Sequence, residues 1–378
     1  MAAKSRRDLW SNLWKKSPQW NPTFSPIGVE DGRNRYAEWI VASRPAMGTV
    51  FELRFAAATH GAVALAESCF DLIDQLEMAM TIYRDDSTLA RVNASYHSAP
   101  VQLPDDLYEL AKLARSIRQA TDGAYDIATG ALSRAWGFVK GPRRVPTPME
   151  LDAALVCTGL HHVTFDDENR TLRADRPGVE LNLGSIGKGY AIDRVVDRIR
   201  SNLVPVPAMV HGGRSSLYAL GHQPGTLFDP WKITLHNPLD PRRPLVELKL
   251  VDQAVGTSGG TFQSFEADGR TYGHIIDPRT GIPLEGPLSV TVVAPTAAEA
   301  DALSTALYLT GPIAAERLIR QRAGLGVLFM RIATESAGGE PEAEILVMNL
   351  PRDRVEIDGI RATFWDRESP VPREWIGS

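Results

Sequence analysis

Glu180-Leu181-Asn182-Leu183-Gly184-Ser185-Ile186-Gly187-Lys188-Gly189-Tyr190-Ala191-Ile192-Asp193 is the stretch around which the rest of this chain is organised. Apolar residues alternate through 179–183, which predicts a strand. A glycine-rich turn carrying one lysine follows and leads into a helical pattern through about Arg200. Such a turn aims backbone N–H groups and a helix N-terminus at one point, a geometry that favours phosphate. Lys188 adds a mobile positive charge. The stretch is not a Walker A loop, because Gly184 and Lys188 stand too close and Gly189 follows the lysine. It is not a dinucleotide fingerprint either. An ordinary glycine turn with a solvated lysine fits it equally well.

Composition narrows the field. With 378 residues, 43% of them hydrophobic and 23% charged, the chain buries a full core in one large domain or two moderate ones. A formal net charge of -5 argues against a nucleic-acid binder. Cys69 and Cys157 have no metal-ligand spacing and form no disulfide framework, which fits a reducing compartment. No run approaches the ~18 apolar residues that span a bilayer. Ser5-Arg6-Arg7-Asp8-Leu9-Trp10 has a twin-arginine look, yet neither an apolar h-region nor a lipid-bearing cysteine accompanies it. The expectation is a cytoplasmic protein. Leu9, Trp10, Leu13 and Trp14 share one helical face beside Lys15 and Lys16. That face either packs locally or makes a peripheral contact with a membrane.

Along the body, helical spacing covers 59–80 and 104–121, and Thr147-Pro148-Met149-Glu150 opens a third helix with an N-cap, an N1 proline and a capping-box acid. Met47–Phe55 alternates like a strand, and 163–172 reads as a hairpin turning at 166–169. Further strands fit 207–211, 216–220, 231–236, 245–251, 253–257, 271–276 and 288–294. Neighbouring strands in meander order predict an α+β fold, a largely antiparallel sheet with packed helices.

Several stretches carry chemistry. Tyr83 sits in a polar turn, Gly123-Ala124-Tyr125-Asp126 precedes Trp136-Gly137-Phe138, and Gly256–Gly260 reads as a small-residue loop open to a bulky ligand. His274-Ile275-Ile276-Asp277-Pro278-Arg279-Thr280-Gly281 joins a histidine, a carboxylate and an arginine. Thr296 and Glu299 cap a helix over Ala297–Leu309, on which Asp301, Ser304 and Thr305 share one face. A carboxylate with hydroxyls suits a hard cation such as Mg²⁺, its shell completed by phosphates and water. A polar stripe facing solvent is the plain alternative.

Taken in order, these segments resemble the FAD:protein FMN transferase (ApbE) family from about Met47 to Thr310. The resemblance rests on Met47-Gly48-Thr49, Tyr83-Arg84 with Ser87, Gly123–Asp126 with Trp136-Gly137-Phe138, Leu183–Ala191 with Asp193, Gly212-Gly213, Thr257-Ser258-Gly259, His274–Gly281 and Ala300–Thr305. It implies an ApbE-like fold and a Mg²⁺-dependent enzyme. FAD would be its substrate, and the FMN half would pass to a Thr or Ser hydroxyl of an acceptor flavoprotein with release of AMP. Position by position, Met47, Tyr83, Ala124, Tyr125, Asp126, Asn182, Lys188 and Ile275 would bind FAD. Ser185, Asp301, Ser304 and Thr305 would hold the metal, with Ser185 and Ser304 contributing main-chain oxygens. His274 would take the proton of the acceptor hydroxyl, with Asp277 as its substitute. The resemblance makes 1–40 an N-terminal extension, 41–350 the transferase domain and 351–378 a C-terminal tail.

Departures from the family pattern bear on affinity more than on fold. Asn182 stands where an aspartate is usual, Gly187 where alanine is common, Gly260 where an acid is common, and Arg214 follows Gly212-Gly213. An amide at 182 keeps most of the hydrogen-bonding capacity without the charge. These changes leave open an FAD pyrophosphatase, with water replacing the acceptor hydroxyl, or a non-catalytic flavin-binding protein.

Overall fold

A ten-stranded sheet runs through the centre of the protein, and its strands follow one another in chain order. They are β1 (Ser25–Val29), β2 (Ala37–Ala46), β3 (Thr49–Ala56), β4 (Ala208–Gly212), β5 (Ser216–Leu220), β6 (Gln253–Gly259), β7 (Ser289–Ala294), β8 (Gly326–Ile332), β9 (Ala343–Met348) and β10 (Arg361–Trp365). In this computed structural model the described residues are 25–29, 37–224, 228–236, 243–259, 264–284, 289–332 and 343–376. Every neighbouring pair from β1 to β9 is antiparallel, and β10 alone runs parallel to its neighbour β9. The α+β architecture expected from the sequence is thus observed. β1 and β10 lie outside 41–350, yet both are hydrogen-bonded into this sheet, and Val371 and Trp375 pack in its core.

Both faces of the sheet are buried, and the two-residue period of a strand sorts the side chains between them. On β4, Ala208 and Val210 join the larger core while Met209 joins the smaller one. On β8, Val327 and Phe329 face the larger core, and Leu328 and Met330 the smaller. The larger core is roofed by helices α1 (Ala62–Met80), α2 (Thr88–Ser95), α3 (Asp105–Ala120) and α6 (Gly187–Arg200), while α4 (Gly130–Ala135) and α5 (Pro148–Val156) pack on each other; all are inserted between β3 and β4. A seventh helix, α7 (Ala297–Gln321), joins β7 to β8. The smaller core lies under a three-stranded sheet of 231–236, 244–250 and 355–357, where Trp39 and Trp231 meet at 5.3 Å.

Three sequence-based expectations change here. Met47 and Gly48 lie before β3, in a two-residue turn with φ of 51° and 73°, the left-handed pair that a tight hairpin between β2 and β3 demands. The strand expected over 271–276 is shorter, ending at Gly273 in a hairpin with Ser264–Ala267. The helix expected to end at Leu309 runs on to Gln321. Gly311, at φ 72°, breaks it, and Pro312 starts a second segment that needs no N–H from its first residue. The amphipathic face of residues 9–16, like Gly260, lies outside the described residues.

His211 on β4 gives the fold a pH signature. Burial pushes its imidazole down to about 4, so it is neutral in the native protein. An unfolded histidine titrates near ~6.5. Between those values the unfolded chain binds a proton that the native chain refuses, so stability falls as pH drops. His211 alone contributes a loss of ~2–3 kcal/mol between pH ~6.5 and ~4, read as the pH-dependence of the urea midpoint of wild type minus that of His211→Gln, because the buried Asp193 carboxyl, raised to about 7, acts in the opposite sense over the same window. Acidification through that window should therefore cost His211→Gln less stability than it costs the wild type. An unchanged slope would assign the acid sensitivity to other groups.

Candidate active site

The 179–183 segment is not a strand, which corrects the sequence reading. Val179, Leu181 and Leu183 are buried as the alternation predicts. The backbone groups, however, go elsewhere. Asn93 clamps Leu181 from both sides, its Nδ2 donating to Leu181 O and its Oδ1 accepting from Leu181 N, each at 2.9 Å. Gly130 N donates to Glu180 O at 2.9 Å, and Asn182 N donates to Ile127 O at 2.6 Å. With those groups satisfied, no ladder partner is required. Asn182 Oδ1 then accepts from Gly184 N at 3.0 Å and its Nδ2 donates to Ser133 Oγ at 3.3 Å, which shapes the turn entering α6.

Two glycines set the depth at which α7 packs. A side chain on Gly189 would put its Cβ 2.1 Å from Ala297 O, and one on Gly256 would put it 2.3 Å from the carbonyl carbon of Ala300. The first lets α6 cross the start of α7, and the second lets α7 lie directly on β6. Gly256–Gly259 is therefore the end of a central strand rather than an open ligand loop, a second correction. Asp193 fixes the crossing, accepting from Ala297 N at 2.7 Å and Ala298 N at 2.9 Å at the start of α7. Burial raises its carboxyl to about 7 against the pull of those two donors.

This close approach assembles a polar cluster around Asp301. Its Oδ2 accepts from Gly189 N at 3.0 Å and lies 3.4 Å from Lys188 Nζ, while Oδ1 accepts from Ser216 Oγ at 2.6 Å. Ser304 Oγ and Thr305 Oγ1 each donate to Asp301 O, at 2.9 and 3.2 Å. Ser258 Oγ sits 2.9 Å from Ser304 Oγ and 3.2 Å from Thr305 Oγ1. Asp301 is only 5% exposed and Ser304 is fully buried, so this face is not a solvated stripe. Among the described residues no group of three or more His, Cys, Asp or Glu side chains forms a metal cluster. A single carboxylate among hydroxyl and carbonyl oxygens still fits Mg²⁺, which takes few protein ligands and completes its shell with phosphates and water.

The remaining predicted residues fall into two groups. Tyr125 meets the turn entering α6, where Ser185 Oγ donates to its phenol oxygen at 3.3 Å, and burial holds that phenol above its ordinary range. Beside it Ala124 is buried, and the Asp126 carboxylate is occupied by Arg118 Nε at 2.5 Å, Ala128 N at 2.8 Å and Leu160 N at 3.0 Å. Ile275 is buried and His274 half-buried, just past the hairpin that ends at Gly273. The Asp277 carboxylate is engaged by its neighbour: Arg279 N and Nε donate to its Oδ1 at 2.8 and 2.9 Å, and Arg279 Nη2 to its Oδ2 at 2.7 Å. Met47 is half-buried against the core, whereas Tyr83 is 56% exposed after α1. Among the described residues the hydrogen-bond network around Asp301 does not include Met47, Tyr83 or Ile275. Sequence reasoning gave no role to Ser216 or Arg118, and took Ser258 only as part of the Thr257-Ser258-Gly259 motif. Ser216 follows Ser215 on a central strand, and no local pattern marks it as a partner of Asp301.

A sequence model of the ApbE family matches residues 47–329. The chain belongs to the ApbE family. It is 33% identical over 264 residues to the FAD:protein FMN transferase of Salmonella typhimurium, covering 68% of this chain and 74% of that one. The FAD:protein FMN transferase of Vibrio cholerae is 33% identical over 300 residues, or 77% of this chain and 87% of its own. Among solved structures, the ApbE protein of Thermotoga maritima superposes with a TM-score of 0.71 at 30% identity, covering 77% of this chain and 94% of that one. The apo flavinyl transferase ApbE of Pseudomonas stutzeri gives 0.68 at 30% identity, covering 79% and 92%.

Proposed function

We propose that this ApbE-family protein is a transferase that moves the FMN moiety of FAD onto a Thr or Ser hydroxyl of an acceptor flavoprotein and releases AMP. The observation that carries the reading is the junction of the 184–189 turn with α7. It brings a helix N-terminus, Lys188 and the Asp301–Ser304–Thr305 face together, although 112 residues separate Gly189 from Asp301. Phosphoryl transfer asks little of a protein beyond positioning and charge neutralisation, and both are present here.

In this reading the α6 N-terminus and Lys188 receive the pyrophosphate of FAD. Met47, Tyr83, Ala124, Tyr125, Asp126, Asn182 and Ile275 surround the rest of the molecule. With the Asp126 carboxylate already held by Arg118, the 124–126 segment meets its ligand through backbone and shape rather than charge. Asp301, Thr305 and the main-chain oxygens of Ser185 and Ser304 would hold Mg²⁺, which when bound neutralises charge on the pyrophosphate. His274 accepts the proton of the attacking hydroxyl, a contribution typically of ~10²–10⁴-fold.

The test is incubation of pure protein with FAD and Mg²⁺, with and without a Thr/Ser acceptor domain, followed by AMP release and acceptor mass. AMP formed only with acceptor, and an acceptor heavier by FMN, is the expected result. AMP without acceptor would make the protein an FAD pyrophosphatase. No AMP in either arm would leave a flavin-binding protein without catalysis.

A further inference from the structure

We infer that Trp136 is a positioning residue for His274, gripping both legs of the chain excursion that carries it; the inference rests on the proton-transfer role proposed for that histidine. The excursion leaves the sheet after β6 and returns at β7. Its described part, 264–284, begins with the hairpin of Ser264–Ala267 and Arg270–Gly273. That two-stranded ladder is a sheet of its own, separate from the ten-stranded one. The hairpin is instead docked by aromatic rings.

Trp136 lies at the end of α4 and is 1% exposed. Its ring meets Tyr272 at 5.2 Å and Phe265 at 6.4 Å, while Phe265 and Tyr272 stack on each other at 5.5 Å. On the returning leg, Trp136 Nε1 donates to Gly281 O at 2.8 Å. His274 stands between these two attachment points. The turn after it is closed on itself: Gly281 N donates to Asp277 O at 2.7 Å, Asp277 N to Ile282 O at 3.0 Å, and Leu284 N to Ile275 O at 3.3 Å. Gly281, at φ 72°, presses against Leu132 and Leu151 so tightly that a Cβ there would sit 2.7 Å from Leu151 Cδ1. A self-closed turn moves as a unit, so its placement relative to the rest of the site depends on what fastens it. Trp136 fastens it at both ends, and the indole N–H gives the second fastening a direction that ring packing alone lacks.

The experiment compares His274→Asn, Trp136→Phe, Tyr272→Leu and the His274→Asn/Trp136→Phe pair. The readouts are FMN transfer kinetics, FAD affinity by flavin fluorescence, and thermal unfolding. Trp136→Phe keeps a ring on Tyr272 but loses the donor. It should lower kcat by ~10–100-fold, as a misplacement of about 1 Å does, while the FAD dissociation constant changes by less than ~3-fold. Tyr272→Leu, which loosens the other leg, should show the same split. In the double variant the losses should not add, because Trp136 acts only through His274. Additive losses, or wild-type kcat in a folded Trp136→Phe protein, would overturn the inference while leaving the His274 reading intact. Full activity in His274→Asn would remove that reading and this inference together.

Discussion

Substituting Asp301 by asparagine should lower FMN transfer by roughly 10²–10³-fold, the scale on which a preorganised charge-stabilising group is usually worth its place. The side chain keeps its shape but loses the only carboxylate of the candidate metal face. Part of the loss should return at high Mg²⁺ or with Mn²⁺, because mass action offsets weaker coordination. The structure adds a second effect. Both carboxylate oxygens accept hydrogen bonds, Oδ1 from Ser216 and Oδ2 from Gly189 N, with Lys188 close by. An amide keeps its one oxygen on Gly189 N and turns its NH₂ to Ser216 Oγ, which can accept, so what is lost is the charge that strengthened both bonds and paired with Lys188, about 1 kcal/mol. Asp301→Asn should therefore melt a few degrees lower while remaining folded. Transfer rate against metal concentration, with thermal unfolding alongside, reads both effects. Equal rates for variant and wild type at every Mg²⁺ concentration would take Asp301 out of the metal site.

Two glycines two residues apart should respond in opposite ways. Gly189→Ala places a Cβ 2.1 Å from Ala297 O and 2.7 Å from Ala298 N. These are backbone atoms of α7 and cannot swing aside as a side chain does. The helices must separate by about 1 Å or more, which breaks the Asp193 cap and the Gly189–Asp301 bond together. A loss of at least ~4 kcal/mol is expected, or failure to fold. Gly187→Ala, by contrast, meets nothing closer than Met80 Sδ at 3.6 Å, an ordinary contact. It also removes a glycine from the first turn of α6, which should stabilise by ~0.4–1 kcal/mol. The alanine common at this position in the family is thus compatible with this backbone. Urea unfolding of both variants decides the matter. A Gly189→Ala protein of wild-type stability would show that the two helices do not approach as closely as described.

Periodicity made much of the architecture legible. The apolar runs of β4 to β7, the capping box of Thr147 with Glu150 and the hairpin over 163–174 all follow local rules, and each is found close to where those rules put it. The same rules misread 179–183. Alternation reports which side chains are buried but not where the backbone hydrogen bonds go, and Asn93, 88 residues away, takes those of Leu181. Gly256 misled for a related reason. A glycine that admits a ligand and a glycine that admits a helix have the same sequence signature.

By itself, the sequence determined the elements, their burial pattern, the glycine turn with Lys188 and the Asp301–Ser304–Thr305 face, because propensity, capping and period act over a few residues. Only the tertiary structure decided what those groups face. It turned Asp301 inward rather than to solvent, supplied Ser216 and Ser258 from two neighbouring central strands, engaged Asp126 with Arg118, and set Trp136 across both legs of the His274 excursion. The partners of Asp301 are fixed by the depth at which α7 packs on α6 and β6. That depth depends on the absence of a Cβ at Gly189 and Gly256, and on which distant backbone lies opposite.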